Sequence, residues 1–277
     1  MENMVPVESS IVPARPDLSV GRPDGSAVST RGLSKRFGEK VAVNLLDLHV
    51  PRGSFFGLVG PNGAGKTTTL RLVTGLLRPD AGKAWVEGIE VWRDPVAAKR
   101  AIGIVPEDLR LFERLTGMEL LTYNGLLRGM PAEVVDRRTT ELLEVLGLGE
   151  ARDTLVVDYS HGMRKKIALA AALLHAPRVL FLDEPFEGVD PISARTIRAV
   201  LERHVLAGAT VVFSSHVMEI VERTCDRVGV MHEGRLVIEG PIDEVRGGRP
   251  LEERFVELVG AETIRDGALA WLDPSSG

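Results

Sequence analysis

Apolar and polar positions along the chain follow two rhythms, one of short strand-like runs and one of helical spacing. Residues 28–37 and 40–50 predict two strands turning at Gly38-Glu39, which sets Phe37 at the edge of whatever the neighbouring loops form. Residues 54–59 (SFFGLV) read as a buried strand, and a helix follows at 67–74. The stretch 75–80 (GLLRPD) breaks that pattern before short strands at 84–87, turning at Gly88, and at 102–105. From 108 to about 177 the rhythm is helical. Thr116-Gly117-Met118-Glu119 has the capping-box pattern, Pro131 opens a second helix that stops at Gly147, and Ser160 caps a third that runs to about His175. Strands return at 178–182 (RVLFL), 210–213 and 228–231, with helices at 193–206 and 217–226 between them and a last one at 250–259. Alternation of strand and helix implies an α/β fold with a parallel sheet and ligands at the carboxyl ends of its strands. Residues 108–177 then form a helical lobe inserted into that core. The prolines at 6, 13, 16 and 23 mark about the first 27 residues as a mobile leader, the body spans 28–245, and 246–277 form a C-terminal helix and tail.

The run at 54–59 feeds directly into GPNGAGKTT, residues 60–68. Gly60, Gly65, Lys66 and Thr67 complete the pattern G-x-x-x-x-G-K-[ST] in its required context of strand, loop and helix. The glycines let backbone N–H groups turn inward around an anion. Lys66 adds a positive charge near the β- and γ-phosphates of a nucleotide, and Thr67 offers a hydroxyl to Mg²⁺. The helix at 67–74 directs its positive end at the same phosphates. A second polar cluster, Asp183-Glu184-Pro185, closes the strand at 178–182. Adjacent carboxylates there suit nucleotide hydrolysis: Asp183 can hold Mg²⁺ while Glu184 points at the attacking water.

Composition narrows the picture without redirecting it. The 277 residues and 44 % hydrophobic content suffice for one large domain or a domain with a lobe. A net charge of −5 argues against a surface for nucleic acid, which basic patches hold. The single cysteine, Cys225, has no internal disulfide partner and reads as apolar filling of a helix. No apolar run approaches a membrane span; 167–174 (IALAAALL), the longest, reads as a buried helix. The first residues lack the basic start and apolar centre of a signal peptide.

Over roughly residues 28–245 the sequence resembles the ATP-binding subunit of an ABC transporter, and the order of motifs carries the resemblance. GPNGAGKTT is followed by VPEDL at 105–109, YSHGM at 159–163, VLFLDEP at 179–185, EGVD at 187–190 and SSH at 214–216. The resemblance implies a P-loop NTPase core with a mixed, largely parallel sheet, antiparallel N-terminal strands and the inserted lobe. It implies ATP and Mg²⁺ as cofactors. ATP would lie on Phe37 and the loop Gly60, Pro61, Asn62, Gly63, Ala64, Gly65, Lys66, Thr67 and Thr68. Thr67, Asp183 and Glu107 would serve the metal, Glu184 would be the general base, and His216 would contact the γ-phosphate. Ser160 and Gly162 would address the ATP of a partner subunit, with Asp190 at the dimer interface. Phe37 has two readings, an adenine platform or a core residue; Ser160 is a helix cap in either case.

The chain departs from the family at two motifs. His161 and Met163 stand where the signature usually has Gly and Gln, and Glu107 stands where Gln is usual. A carboxylate there is a hard oxygen ligand for Mg²⁺ that also brings like charge toward the γ-phosphate. The resemblance further implies a homodimer or paired ATP-binding subunit, attached at the cytoplasmic face of the membrane to a separately encoded permease. Leu111, Phe112 and Leu115 would line the groove for it or pack in the core. The C-terminal pattern and the VPEDL and YSHGM variants are similar to exporter-type multidrug or antibiotic efflux subunits. The alternative is a soluble ATPase of the same type acting on ribosomes or DNA. The stretch between Lys66 and Ser160 has no heptads and the charge is acidic, both against DNA work.

Overall fold

A computed structural model describes residues 25–260; the expected leader, apart from its last three residues, and the C-terminal tail lie outside the described residues. In chain order the elements are β1 (Ser26–Phe37), β2 (Lys40–Leu46), β3 (His49–Pro51), β4 (Phe55–Val59), α1 (Lys66–Val73), β5 (Ala81–Val86), β6 (Ile89–Glu90), α2 (Pro95–Ala101) and β7 (Ile102–Val105). The helices α3 (Gly117–Leu127), α4 (Ala132–Val145) and α5 (His161–Leu173) form the lobe. Then come β8 (Val179–Asp183), α6 (Pro191–Leu206), β9 (Thr210–Ser215), α7 (Met218–Thr224), β10 (Arg227–His232), β11 (Arg235–Pro241), α8 (Ile242–Arg246) and α9 (Leu251–Val259).

A six-stranded sheet in the order β11-β10-β4-β9-β8-β7 forms the centre, parallel from β10 to β7 and antiparallel at β11. Its inner strands are apolar throughout because both faces are covered, and period-two alternation sends neighbouring side chains into different cores. Phe55 and Val59 of β4, Leu180 and Leu182 of β8, and Val211 and Phe213 of β9 join the helical lobe, α6 and α7 in one core. Phe56, Leu58, Val179, Phe181 and Val212 pack in another with α1 and the N-terminal strands. Phe56, Phe181 and Phe213 are fully buried, each worth about 1.5–3 kcal/mol of transfer free energy.

The second, five-stranded sheet is antiparallel, with β2-β1-β5-β6 in order and β3 also on β1. Here the expected strand 40–50 is two strands. The Thr30 hydroxyl sits between the chains, donating to the Leu46 carbonyl at 2.8 Å and accepting from the Leu48 N–H at 2.9 Å. Asp47 Oδ1 accepts from Gly32 N at 2.6 Å, and Leu45 adopts φ 48°. These contacts bulge the chain between β2 and β3. Strand β1 also takes in Ser26 and Ala27, assigned to the leader by pattern alone. Ser214 and Ser215, expected in a loop, complete β9. The elements β6, α2, β11 and α8 have no counterpart in the expected pattern; α2 is capped by Asp94, which accepts from Ala97 N at 3.0 Å.

The lobe keeps its expected start signals. Thr116 and Glu119 make both bonds of the capping box, and the Ser160 hydroxyl accepts from Met163 N at 3.3 Å. Leu115 packs partly buried on the lobe's core, while Leu111 and Phe112 line a shallow cavity of about 170 Å³ with Ile104 and Leu120. Phe112 is exposed and stacks edge-on with Tyr123.

Candidate functional site

Parallel pairing brings the polar strand ends together. The register sets Val59 opposite Ser215, Asp183 opposite Ser214 and Val105 opposite Leu182, so the loops after β4, β7, β8 and β9 leave the sheet on one edge. The loop after β4 is shaped by its glycines. Gly65, the N-cap of α1, has φ 104°, and a β-carbon there would run into the Ala42 carbonyl oxygen. A β-carbon at Gly60 would meet the Met231 carbonyl oxygen. Only glycine fits either place. Ala64 is buried beneath the loop, with its N–H bonded to the Pro61 carbonyl at 3.1 Å.

An open cleft of about 380 Å³ lies over this loop, and Phe37, Asn62, Gly63, Gly65, Lys66, Thr67, Thr68, Glu107, Glu184 and His216 all line it. Phe37 is 51 % exposed, at the rim with Lys40 rather than in the core. Lys66 is 6 % exposed and donates from Nζ to the carbonyls of Gly60 at 2.7 Å and Pro61 at 3.2 Å. Its Nζ lies 3.6 Å from Glu184 Oε1, and His216 Nδ1 lies 3.1 Å from Glu184 Oε2. An ionised carboxylate only accepts, so the His216 proton faces Glu184 from Nδ1.

Beneath the cleft, Asp183 Oδ1 accepts from the Thr67 hydroxyl at 3.1 Å and from the Ser214 hydroxyl at 2.5 Å. Ser214 in turn accepts from the Glu184 N–H at 3.0 Å. Sequence reasoning missed Ser214 as a site residue, although it opens the SSH triplet, because its role depends on the β8–β9 register. It also missed Lys40 and Glu187, which line the cleft. The acidic EGVD segment was the available signal for Glu187.

Ser160, Gly162 and Asp190 do not line the cleft. Gly162 and Asp190 meet where α5 and α6 begin: Asp190 caps α6, and a β-carbon at Gly162 would lie 3.1 Å from Asp190 Oδ2 and from Ser193 Oγ. Hydrogen bonds from the Ser193 backbone and side chain, with a further one from Ile192 N, hold the Asp190 carboxyl below the usual carboxylate range. Ser160 is exposed at the α5 N-terminus. Among the described residues no helix is long and apolar enough to cross a membrane.

Comparison with known proteins places the chain in a family. The family model for ABC transporters matches residues 43–187. The daunorubicin/doxorubicin resistance ATP-binding protein DrrA of Streptomyces peucetius is 40 % identical over 220 residues, covering 79 % of this chain and 67 % of the relative. The linearmycin resistance ATP-binding protein LnrL of Bacillus subtilis (strain 168) is 36 % identical over 213 residues, 77 % of this chain and 68 % of the relative. The bacitracin transport ATP-binding protein BcrA of Enterococcus faecalis is 38 % identical over 219 residues, 79 % and 70 %. A solved structure of the ATP-binding subunit of an ABC transporter superimposes with a TM-score of 0.79 at 29 % identity, covering 84 % of this chain and all of that one. A phosphate loop with an acid pair beneath it, matched over most of the chain by such relatives, makes this protein a member of the ABC transporter family, an ATP-binding subunit that hydrolyses ATP to drive transport.

Proposed function

We propose that the chain powers export of an antibiotic-like compound through a separately encoded permease, as a peripheral subunit on the cytoplasmic face of the membrane. The drug-resistance and bacitracin-transport roles of its relatives support export. The observation that carries the catalytic reading is the bracketing of one carboxylate, Glu184, between Lys66 and His216 at the floor of a phosphate-loop cleft.

In this reading the N–H groups of residues 62, 63 and 65–68 and the Lys66 ammonium hold the ATP phosphates, and the exposed Phe37 ring stacks on adenine. Thr67 and Glu107 offer hard oxygens in the cleft, with Asp183 bonded to Thr67 beneath it, and these fit Mg²⁺. Among the described residues no group of three or more His, Cys, Asp or Glu makes a protein cage for a metal, and Mg²⁺ held partly by phosphates and water needs none. When bound, Mg²⁺ supplies charge neutralisation on the phosphates. Glu184 accepts the proton of the attacking water as general base, and His216 orients that carboxylate while presenting Nε2 toward the γ-phosphate side. Ser160 and Gly162, outside this chain's own cleft, address the ATP of a second ATP-binding subunit with Asp190 at the seam. ATP closes the pair and hydrolysis opens it, and the lobe passes the motion to the permease.

Glu184→Gln tests both halves. Removing the base is expected to slow ATP hydrolysis by about 100-fold or more while ATP still binds. The slowed protein, purified from native membranes with ATP, should bring down a polytopic membrane protein identifiable by mass spectrometry. Ribosomal or DNA-bound proteins in its place overturn the transport reading; an unslowed rate overturns the assignment of Glu184.

A further inference from the structure

Lys165 is a buried cation that the mechanism above does not use. It sits in α5, 4 % exposed, and its Nζ donates to the backbone carbonyl of Glu184 at 2.9 Å. Burial pulls the ammonium below the usual lysine range, against the opposing pull of the carboxylates of Glu187, Glu107, Asp183 and Glu184.

The carbonyl it holds belongs to a backbone under strain. Glu184 has φ 47°, in the left-handed region that non-glycine residues seldom adopt, and it precedes Pro185, which pushes its neighbour toward extended conformations. Such strain persists only where the surroundings over-determine it. Two sets of contacts do so. On the amino side the Glu184 N–H is bonded to Ser214 of β9; on the carboxyl side its carbonyl accepts from Lys165 and, at 3.3 Å, from Glu187 N. The same first turns of α5 touch the loop twice more, with His161 Nε2 3.3 Å from the Glu187 carbonyl and Gly162 against Asp190.

We propose that Lys165 is a positioning residue: from the helix that begins at Ser160 it clamps the Glu184 carbonyl, and so keeps the Glu184 carboxylate aimed between Lys66 and His216. The proposal rests on Glu184 being the general base. Its consequence is that α5 and the hydrolytic carboxylate of one chain move together. A shift of the lobe then reaches the chemistry through Lys165 rather than through the nucleotide alone.

The test compares the full-length wild type with Lys165→Met, Lys165→Gln and Glu184→Gln, and with Lys165→Met in the Glu184→Gln background. Lys165→Met is expected to lower kcat about tenfold or more with the Kd for a fluorescent ATP analogue within about twofold of wild type. Lys165→Gln keeps an N–H donor and is expected to recover about threefold or more of that loss; it also carries the Kd and kcat measurements if the Met variant does not fold. In the Glu184→Gln background Lys165→Met should change the residual rate by less than about twofold, because there is no base left to aim. An unchanged kcat, a parallel loss of kcat and ATP affinity, or the same fold-loss in both backgrounds overturns the proposal. A Glu184→Gln protein as fast as wild type refutes the base assignment instead.

Discussion

Neighbouring serines at the end of β9 provide an internal control on how the site is held. Ser214 is fully buried; its hydroxyl donates to Asp183 at 2.5 Å and accepts from the Glu184 N–H. Ser215 is almost as buried at 3 %, yet its hydroxyl serves the loop after β9, accepting from Val217 N at 3.0 Å. Ser214→Ala removes a bond to a carboxylate, worth about 1.5–3 kcal/mol, and orphans a buried N–H, at about 1–3 kcal/mol. Because the groups lost share one oxygen, the terms do not add in full, and about 3 kcal/mol is expected. Ser215→Ala loses the bond from Val217 N and a long one to the Val217 carbonyl at 3.4 Å, both neutral and beside the exposed Val217, and should cost about 1 kcal/mol. Urea unfolding followed by circular dichroism reads both, through the midpoint at constant m. The difference should be about 2 kcal/mol in favour of Ser215→Ala. If the two variants unfold within about 0.5 kcal/mol of each other, the chain of bonds from Glu184 through Ser214 to Asp183 does not carry the load assigned to it.

Three further outcomes follow from separate parts of the molecule. Burial, with the nearby charges of Arg128 and Arg138, lowers the His175 pKa from 6.5 to about 4. The unfolded chain therefore binds more protons between those values, so the contribution of this residue is complete above pH 6.5 and falls as pH drops toward 4, by about 2 kcal/mol once its partial exposure is allowed for. The wild type should lose that much more stability than His175→Gln between about pH 7 and about pH 4 in urea titrations. At Gly103 in β7 a β-carbon would lie 2.5 Å from the Ala172 carbonyl oxygen and 2.9 Å from Pro177 Cγ. Gly103→Ala should cost about 2 kcal/mol or more, seen as a lower Tm, because backbone has to give way. Phe37→Ala should weaken ATP binding about tenfold in equilibrium titration, as loss of a stacked base predicts. Its Tm should stay unchanged, since the ring is half exposed.

The sequence was readable wherever a signal was local. The capping box at Thr116, the cap at Ser160, the turn at Gly38-Glu39 and the phosphate loop are each written in a few adjacent residues, and each forms as expected. Strands β4, β7 and β8 announce themselves by apolar runs that end in polar clusters, which is why the strand-end residues were found together. The failures share a different cause. The break between β2 and β3 depends on a Thr30 hydroxyl from another strand, and no pattern within 40–50 contains it. Ser214 was expected in a loop, and no local signal singled out Lys165. Their positions acquire meaning only when β9 and α5 close on β8 from opposite sides. The family motif at 183–184 names the carboxylate; what aims it lies far along the chain in both directions. A left-handed residue before a proline does not hold itself there. Its hydroxyl from one neighbour and ammonium from the other are the reason the acid pair can be recognised in sequence while its supports cannot.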